Sequence, residues 1–164
     1  MTSLDGYPPS LEKILREFSQ ITDRYERAEL LISYAGQFKG VPDEIASRPY
    51  PEEHRVPYCE SEAYVWAVLQ PDRTLKLYFA VENPQGVSAM AMAAILDRTL
   101  SGLPPERIAA VSPEIVLKIF GQDISMGKGQ GLMGMVSMVQ KIARQLSTVQ
   151  PLQRGQYLAG GDYL

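Results

Sequence analysis

The chain is poor in the two residue types on which most small-protein chemistry rests, with one cysteine, Cys59, and one histidine, His54, in 164 residues. A single cysteine excludes an internal disulfide and any zinc site built on cysteine pairs. A single imidazole leaves no histidine cluster for a metal, and Ser/His/Asp or Cys/His catalysis would have to run through His54 alone. Long apolar runs are missing too, since none approaches the roughly 18 residues of a membrane span. Positive charge is not in excess: 16 Lys and Arg face 19 Asp and Glu, a net charge of −3. Phosphate binding needs clustered cations, so no nucleic-acid partner is expected. Residues 1–10 are polar and contain proline, without the basic and then apolar pattern of a leader. The expected compartment is the cytoplasm, or an organelle such as the plastid stroma if a transit segment has been removed.

What is present is ordinary globular material, 45% hydrophobic and 21% charged, enough for one real core. Leu11, Ile14, Leu15 and Phe18 recur at helical spacing and predict a helix over 10–20 capped by Ser10. Thr22 is the expected cap of a second helix running to about Phe38, with Ala28, Leu31, Ile32 and Ala35 as its apolar stripe and Gly40 after its end. Four glycines and prolines (Gly40, Pro42, Pro49, Pro51) make 39–53 a loop, and a β segment is expected near 54–56. Residues 63–69 and 74–81 are rich in β-formers around a Gln70-Pro71-Asp72-Arg73 turn, which predicts an antiparallel pair. Beyond Gly86 the pattern turns helical. A buried Ala/Met/Leu-rich helix is expected over 87–100, a short one after Pro104-Pro105, and another after Ser112-Pro113-Glu114 that stops near Gly121. A Gly-rich turn over 127–131 then opens a last helix to about Leu146. The fold class is therefore α+β, a small antiparallel sheet packed with helices. Residues 1–147 are expected to form a single domain, and 148–164 a flexible C-terminal tail.

Cys59 is the leading candidate for chemistry. A lone cysteine is ordinarily a small buried hydrophobe, but Pro57 before it and Glu60-Ser61-Glu62 after it predict a turn at the surface. An exposed thiol is an oxidation liability unless it is used. A thiol reacts as its thiolate, yet the neighbouring side chains are acids, and His54 and Arg55 would help only if the loop folded back. That pattern suits a sulfur acceptor activated inside a complex better than a self-sufficient cysteine enzyme. It also suggests that Cys59 rests in an apolar cavity and moves outward on docking.

Other features invite sharper readings and mostly refuse them. Gly129-Gln130-Gly131-Leu132-Met133-Gly134 spells the dinucleotide pattern G-x-G-x-x-G, which works only between a strand and a helix. No strand precedes it here. A phosphate loop fails as well, because Gly129 stands where Ser or Thr is required. A turn capping the last helix is the simpler account, with Lys128 at a helix N-terminus as a candidate for holding an anion or an acidic partner. Met90, Met92, Met133, Met135 and Met138 are expected to fill the core, with partner docking as the alternative. His54 is expected to be solvated or packed rather than a base.

At Cys59 the sequence resembles the SufE family of sulfur acceptors. Tyr58, Cys59 and Glu60-Ser61-Glu62 are followed by the aliphatic-Trp strand Tyr64-Val65-Trp66. The likeness runs from about residue 11 to 146 and takes in the opening helical hairpin, the strand pair, Leu103-Pro104-Pro105-Glu106-Arg107-Ile108 and the closing Gln130-Gly131-Leu132. The resemblance implies an α+β fold shared with the IscU-type scaffolds, no cofactor and no metal. It also implies a sulfur-transfer partner rather than a stand-alone enzyme. A cysteine desulfurase of the SufS type would pass persulfide sulfur to Cys59 for delivery to a downstream cluster scaffold. Tyr58, Glu60, Ser61 and Lys128 would support Cys59 or meet the partner, and the protein would be a monomer or a homodimer. Three positions depart from the pattern: Tyr58 where glycine is common, Lys128 where arginine is expected, and Asn83 where an acid is common. The alternative is a non-covalent module that stimulates a desulfurase without carrying sulfur.

Overall fold

The computed structural model describes residues 6–149. Six helices and two strands follow in the order α1 (Pro9–Ser19), α2 (Arg24–Ala35), β1 (Ala63–Leu69), β2 (Leu75–Val81), α3 (Val87–Leu100), α4 (Pro105–Ala109), α5 (Ile115–Phe120) and α6 (Met126–Leu146), with a 3-10 turn at Glu52–His54 before β1. The fold is α+β.

β1 and β2 pair antiparallel from Ala63↔Val81 to Leu69↔Leu75. Alternation gives the pair two buried faces. Val65, Ala67, Leu69, Leu75, Leu77 and Phe79 enter the main core, while Tyr64, Trp66 and Ala80 form a second, smaller cluster with Val41. Helices cover the first face, α3 against β2 and α6 against β1. The 39–53 loop covers the second, placing Ile45, Ala46 and Tyr50 on the outer cluster. The sheet is therefore a buried partition between a large core and an aromatic lid.

Several helix boundaries differ from the expectations, and each has a local cause. α1 starts at Pro9 without a side-chain cap, because proline at the first position needs no N–H partner and fixes φ for the helix. Ser10 is thus inside the helix. Asp23, not Thr22, caps α2, accepting from Tyr25 N–H at 3.1 Å. α2 ends at Ala35, short of Phe38. Half of its expected stripe holds, with Leu31 and Ala35 packed against the core, but Ile32 is 61% exposed and Tyr34 only 7%. The inward face is built around Tyr34 and Arg27, whose guanidinium donates to the carbonyls of Phe18, Ile21 and Ile119. An arginine that closes three carbonyls outcompetes Ala28 and Ile32 for the interior, and periodicity alone cannot show this. In place of a β segment at 54–56 there is the 3-10 turn and a single bridge, Arg55↔Tyr64. Ser112 Oγ accepts from Glu114 N–H, but α5 begins only at Ile115. The Gly-rich turn is absent, since Gly127, Gly129 and Gly131 lie within α6, which Ser125 caps. Of the expected tail, Thr148 and Val149 are described and 150–164 lie outside the described residues.

This packing sets the cost of substitutions. Leu96 is fully buried in α3, so Leu96→Ala should cost about 2–5 kcal/mol by chemical denaturation. Ile32→Ala on the exposed face of α2 should stay within about 0.5 kcal/mol. Tyr34 donates to Glu17 Oε1 at 2.7 Å. Burial first, then this hydrogen bond and the Glu17 charge, push its pKa up to about 12. The folded value lies above the unfolded 10.0, so the stabilisation is complete below the unfolded value and disappears as pH rises through the folded one. Tyr34→Phe should remove the latest phenolate step from an absorbance titration and flatten the corresponding alkaline fall in stability.

Candidate functional site

Cys59 sits at the head of a tight loop leading into β1. Val56 N–H donates to Ala63 O at 2.8 Å across the base of the loop, and Glu62 N–H donates to Cys59 O at 3.1 Å across its tip. Two residues in the loop adopt left-handed backbone, Tyr58 at φ 60° and Glu62 at φ 53°. Glycine takes that conformation freely, whereas other residues hold it only when their surroundings enforce it, at about 1–3 kcal/mol each. The glycine common at the position of Tyr58 in the resemblance thus has a physical reason, and a tyrosine there depends on the packing around it.

That packing comes from three glycines. A Cβ at Gly131 would stand 3.1 Å from Cys59 Cα and 3.1 Å from Tyr58 O. A Cβ at Gly134 would stand 3.3 Å from Pro57 O. Residues three apart share a helix face, so α6 presents a smooth strip on which the loop backbone rests. On the other side, a Cβ at Gly86 would lie 2.9 Å from Ser61 Cβ and from Val81 Cγ1. The backbone completes this hold, Ser61 O accepting from Asn83 N–H and Glu62 O from Glu82 N–H. Asn83, where an acid was expected, accepts from Gln85 N–H through Oδ1 and shapes the turn into α3.

The result differs from an exposed turn. Cys59 is 8% exposed and belongs to the main core cluster, as the protected resting position requires. It lines a recess of about 200 Å3 together with Glu60, Ser61, Lys128, Gly131, Leu132 and the first turn of α3. Among the described residues Cys59 Sγ has no hydrogen-bond partner, and no group of side chains there is suited to a metal. Four of the five residues singled out from the sequence therefore meet at one place. Tyr58 is the fifth: it is 78% exposed, lines an open groove with Cys59, Glu60 and Arg55, and also faces a larger apolar groove of about 880 Å3 with Met126, Met133 and Met138. The methionines divide accordingly. Met92 and Met135 are core, whereas Met126 is 87% exposed on the groove rim.

His54 is turned away from Cys59. It is 5% exposed, its ring stacks on Trp66 at 4.9 Å, and Nδ1 lies 3.1 Å from Val65 O. It belongs to the outer aromatic cluster, as the packed reading expects. Arg55 pairs with Glu52 at 3.6 Å and lines an open groove with Cys59, while Lys128 lines the recess on the other side. The parts that sequence reasoning missed are Gly86 and the start of α3. The clue was the glycine directly before an uninterrupted helical run, and the i, i+3 spacing of Gly131 and Gly134 within a pattern first weighed for nucleotides.

With this geometry in place, comparison with known proteins is specific. The SufE family model, described as an Fe-S metabolism associated domain, matches residues 12–143. The chain is 27% identical over 144 residues to SufE-like protein 1, chloroplastic/mitochondrial, of Arabidopsis thaliana, covering 87% of this chain and 37% of that protein. It is 23% identical over 140 residues to the cysteine desulfuration protein SufE of Plasmodium vivax, covering 84% of this chain and 54% of that one. The chain thus spans only about a third to a half of these two relatives. An uncharacterized SufE-like protein of Synechocystis matches at 27% identity over 81% of this chain and 79% of its own length. Among solved structures, a hypothetical protein from Thermus thermophilus aligns over 87% of this chain and 99% of its own, with a TM-score of 0.66 at 23% identity. That likeness shows the fold alone.

The clamp on the loop is directly testable. Gly131→Ala places a methyl against backbone atoms of residues 58 and 59, which cannot rotate away. It should cost about 1–3 kcal/mol in denaturant unfolding and speed alkylation of the native Cys59 thiol. Unchanged alkylation together with unchanged stability would show that α6 does not hold the loop.

Proposed function

The chain belongs to the SufE family, and on that premise we propose that it works in iron–sulfur metabolism as a sulfur acceptor and carrier, with Cys59 as the acceptor. The observation that carries this reading is a lone thiol, buried and without a hydrogen-bond partner among the described residues, at the head of a strained loop beside an open recess. A structural cysteine needs neither the strained loop nor the open recess.

The step is a thiol–persulfide exchange. The Cys59 thiolate attacks the outer sulfur of a persulfide on a cysteine desulfurase. A new S–S bond forms on Cys59, the donor S–S bond breaks, and its electron pair leaves with the donor thiolate, which takes up the proton that Cys59 released. No net oxidation occurs and no cofactor is needed. Glu60 and Ser61 line the recess beside the thiol, and Tyr58 and Lys128 are exposed on either side of it. These positions support a role in meeting the donor and, afterwards, a cluster scaffold. Burial supports activation on docking, because Cys59 has to leave a cover at 8% exposure to reach a donor. The release of two left-handed residues would favour that movement.

The carrier reading predicts a mass gain of one sulfur atom after incubation with a cysteine desulfurase and L-cysteine without reductant, and none in Cys59→Ser. A protein that stimulates the desulfurase equally well as Cys59→Ser would instead be a non-covalent activator.

A further inference from the structure

Met126, Gln130, Met133, Ser137 and Lys141 follow one another at three- and four-residue steps, so they lie along one side of α6. All five line the apolar groove of about 880 Å3 that also takes in Pro57 and Tyr58. That volume falls among the pockets of about 300–1,000 Å3 that bury a ligand. Met126 at 87% and Tyr58 at 78% exposure stand open on it, and open apolar surface of this kind marks a place where something binds. The same steps continue to Arg144 and Thr148, both exposed, so the chain leaves the helix on the side the groove occupies. Val149 is the last described residue, and its carbonyl accepts from Arg73 Nη2 at 3.4 Å. Beyond it lie residues 150–164, in which only Arg154 and Asp162 are charged and the pair Tyr-Leu occurs twice, as Tyr157-Leu158 and Tyr163-Leu164. Segments that remain in solvent are rich in charge and poor in aromatics, whereas adaptable methionine surfaces accept such apolar side chains. The lengths agree as well. From Val149 back to Met133 is about 24 Å along the helix at 1.5 Å per residue, and residues 150–158 span about 30 Å when extended. From Val149 to Met126 is about 35 Å, against about 50 Å for residues 150–164. Pro151 and Gly155 are residue types that reverse a chain.

We propose that this groove is the seat of the chain's own segment 150–164, with Tyr157-Leu158 against Met133 and Met138 and Tyr163-Leu164 reaching Met126 and Tyr58. A tethered segment acts at an effective concentration on the order of millimolar, which favours it over a second copy of the chain. Seated there, it braces Pro57 and Tyr58, the two residues before Cys59, and holds the loop closed over the thiol. A protein that docks over the loop displaces the segment first, so the segment sets how readily Cys59 is exposed. The inference goes beyond the acceptor reading and does not require it.

The test uses the full chain with isotope-labelled methionine methyl groups. Nuclear Overhauser cross-peaks should connect the Met133 methyl to the Tyr157 ring and the Met126 methyl to the Tyr163 ring, and should persist on dilution. The double variant Tyr157→Ser, Leu158→Ser should lose the Met133 cross-peak and alkylate faster at the native Cys59 thiol. Absence of both cross-peaks in the unaltered chain would overturn the proposal. So would cross-peaks that arise between labelled and unlabelled chains in a mixture, because the occupant would then be a second copy. Unchanged alkylation in the double variant would overturn the hold on the loop. No sulfur transfer enters these measurements: a chain that shows the cross-peaks but gains no sulfur from a desulfurase would leave the seated segment standing and remove the acceptor reading.

Discussion

The approach of α6 to the 57–62 loop is the contact on which the site depends. With no Cβ at Gly131 or Gly134, loop backbone and helix backbone come within van der Waals distance, which keeps two non-glycine residues in left-handed conformation and buries the thiol between them. The cost is borne twice, in helix propensity and in loop strain. Gly127, Gly129, Gly131 and Gly134 all lie within α6, and each lowers the helix by about 1 kcal/mol relative to alanine. A 21-residue helix with one face in the core tolerates this, because Leu132, Met135, Val136, Val139 and Ile142 anchor it beyond the glycines.

The sheet supplies the other half of the geometry. β1 starts immediately after the loop, and its register against β2 is set by seven residue pairs. Any slip would move Val65 and Trp66 to the wrong clusters. The fixed start of β1 fixes Glu62, and the bonds from residues 82 and 83 to Glu62 and Ser61 fix the start of α3 against the loop. Cys59 thereby meets the ends of two helices that belong to different parts of the chain.

Much of this was legible in the sequence where local chemistry decides. The strand pair, its turn and the limits of α3 follow from β-formers, Pro71 and Gly86, and the loop ahead of β1 follows from Pro57 and the polar residues after Cys59. What stayed hidden depends on partners far along the chain. Nothing near Arg27 announces that it will close the carbonyls of Phe18, Ile21 and Ile119 and so leave Ile32 outside. The glycines of α6 look like a turn because glycine is a turn former, and only the opposing loop reveals why a helix keeps them. The polar residues after Cys59 do face outward, but the cysteine itself points the other way, a distinction of one residue that composition cannot resolve.

A two-stranded sheet has two open edges, and unpaired edges recruit other strands. Here each is interrupted by the chain's own backbone: Gly40 bridges to Phe79 beside β2, and Arg55 bridges to Tyr64 beside β1. Strand addition is the most permissive way for one protein to bind another, because it reads backbone rather than side chains. Each bridge obstructs that mode at its own point along the edge. At those two points an incoming surface would meet the chain's own loops, so fit there is decided by side-chain shape and charge rather than by backbone pairing.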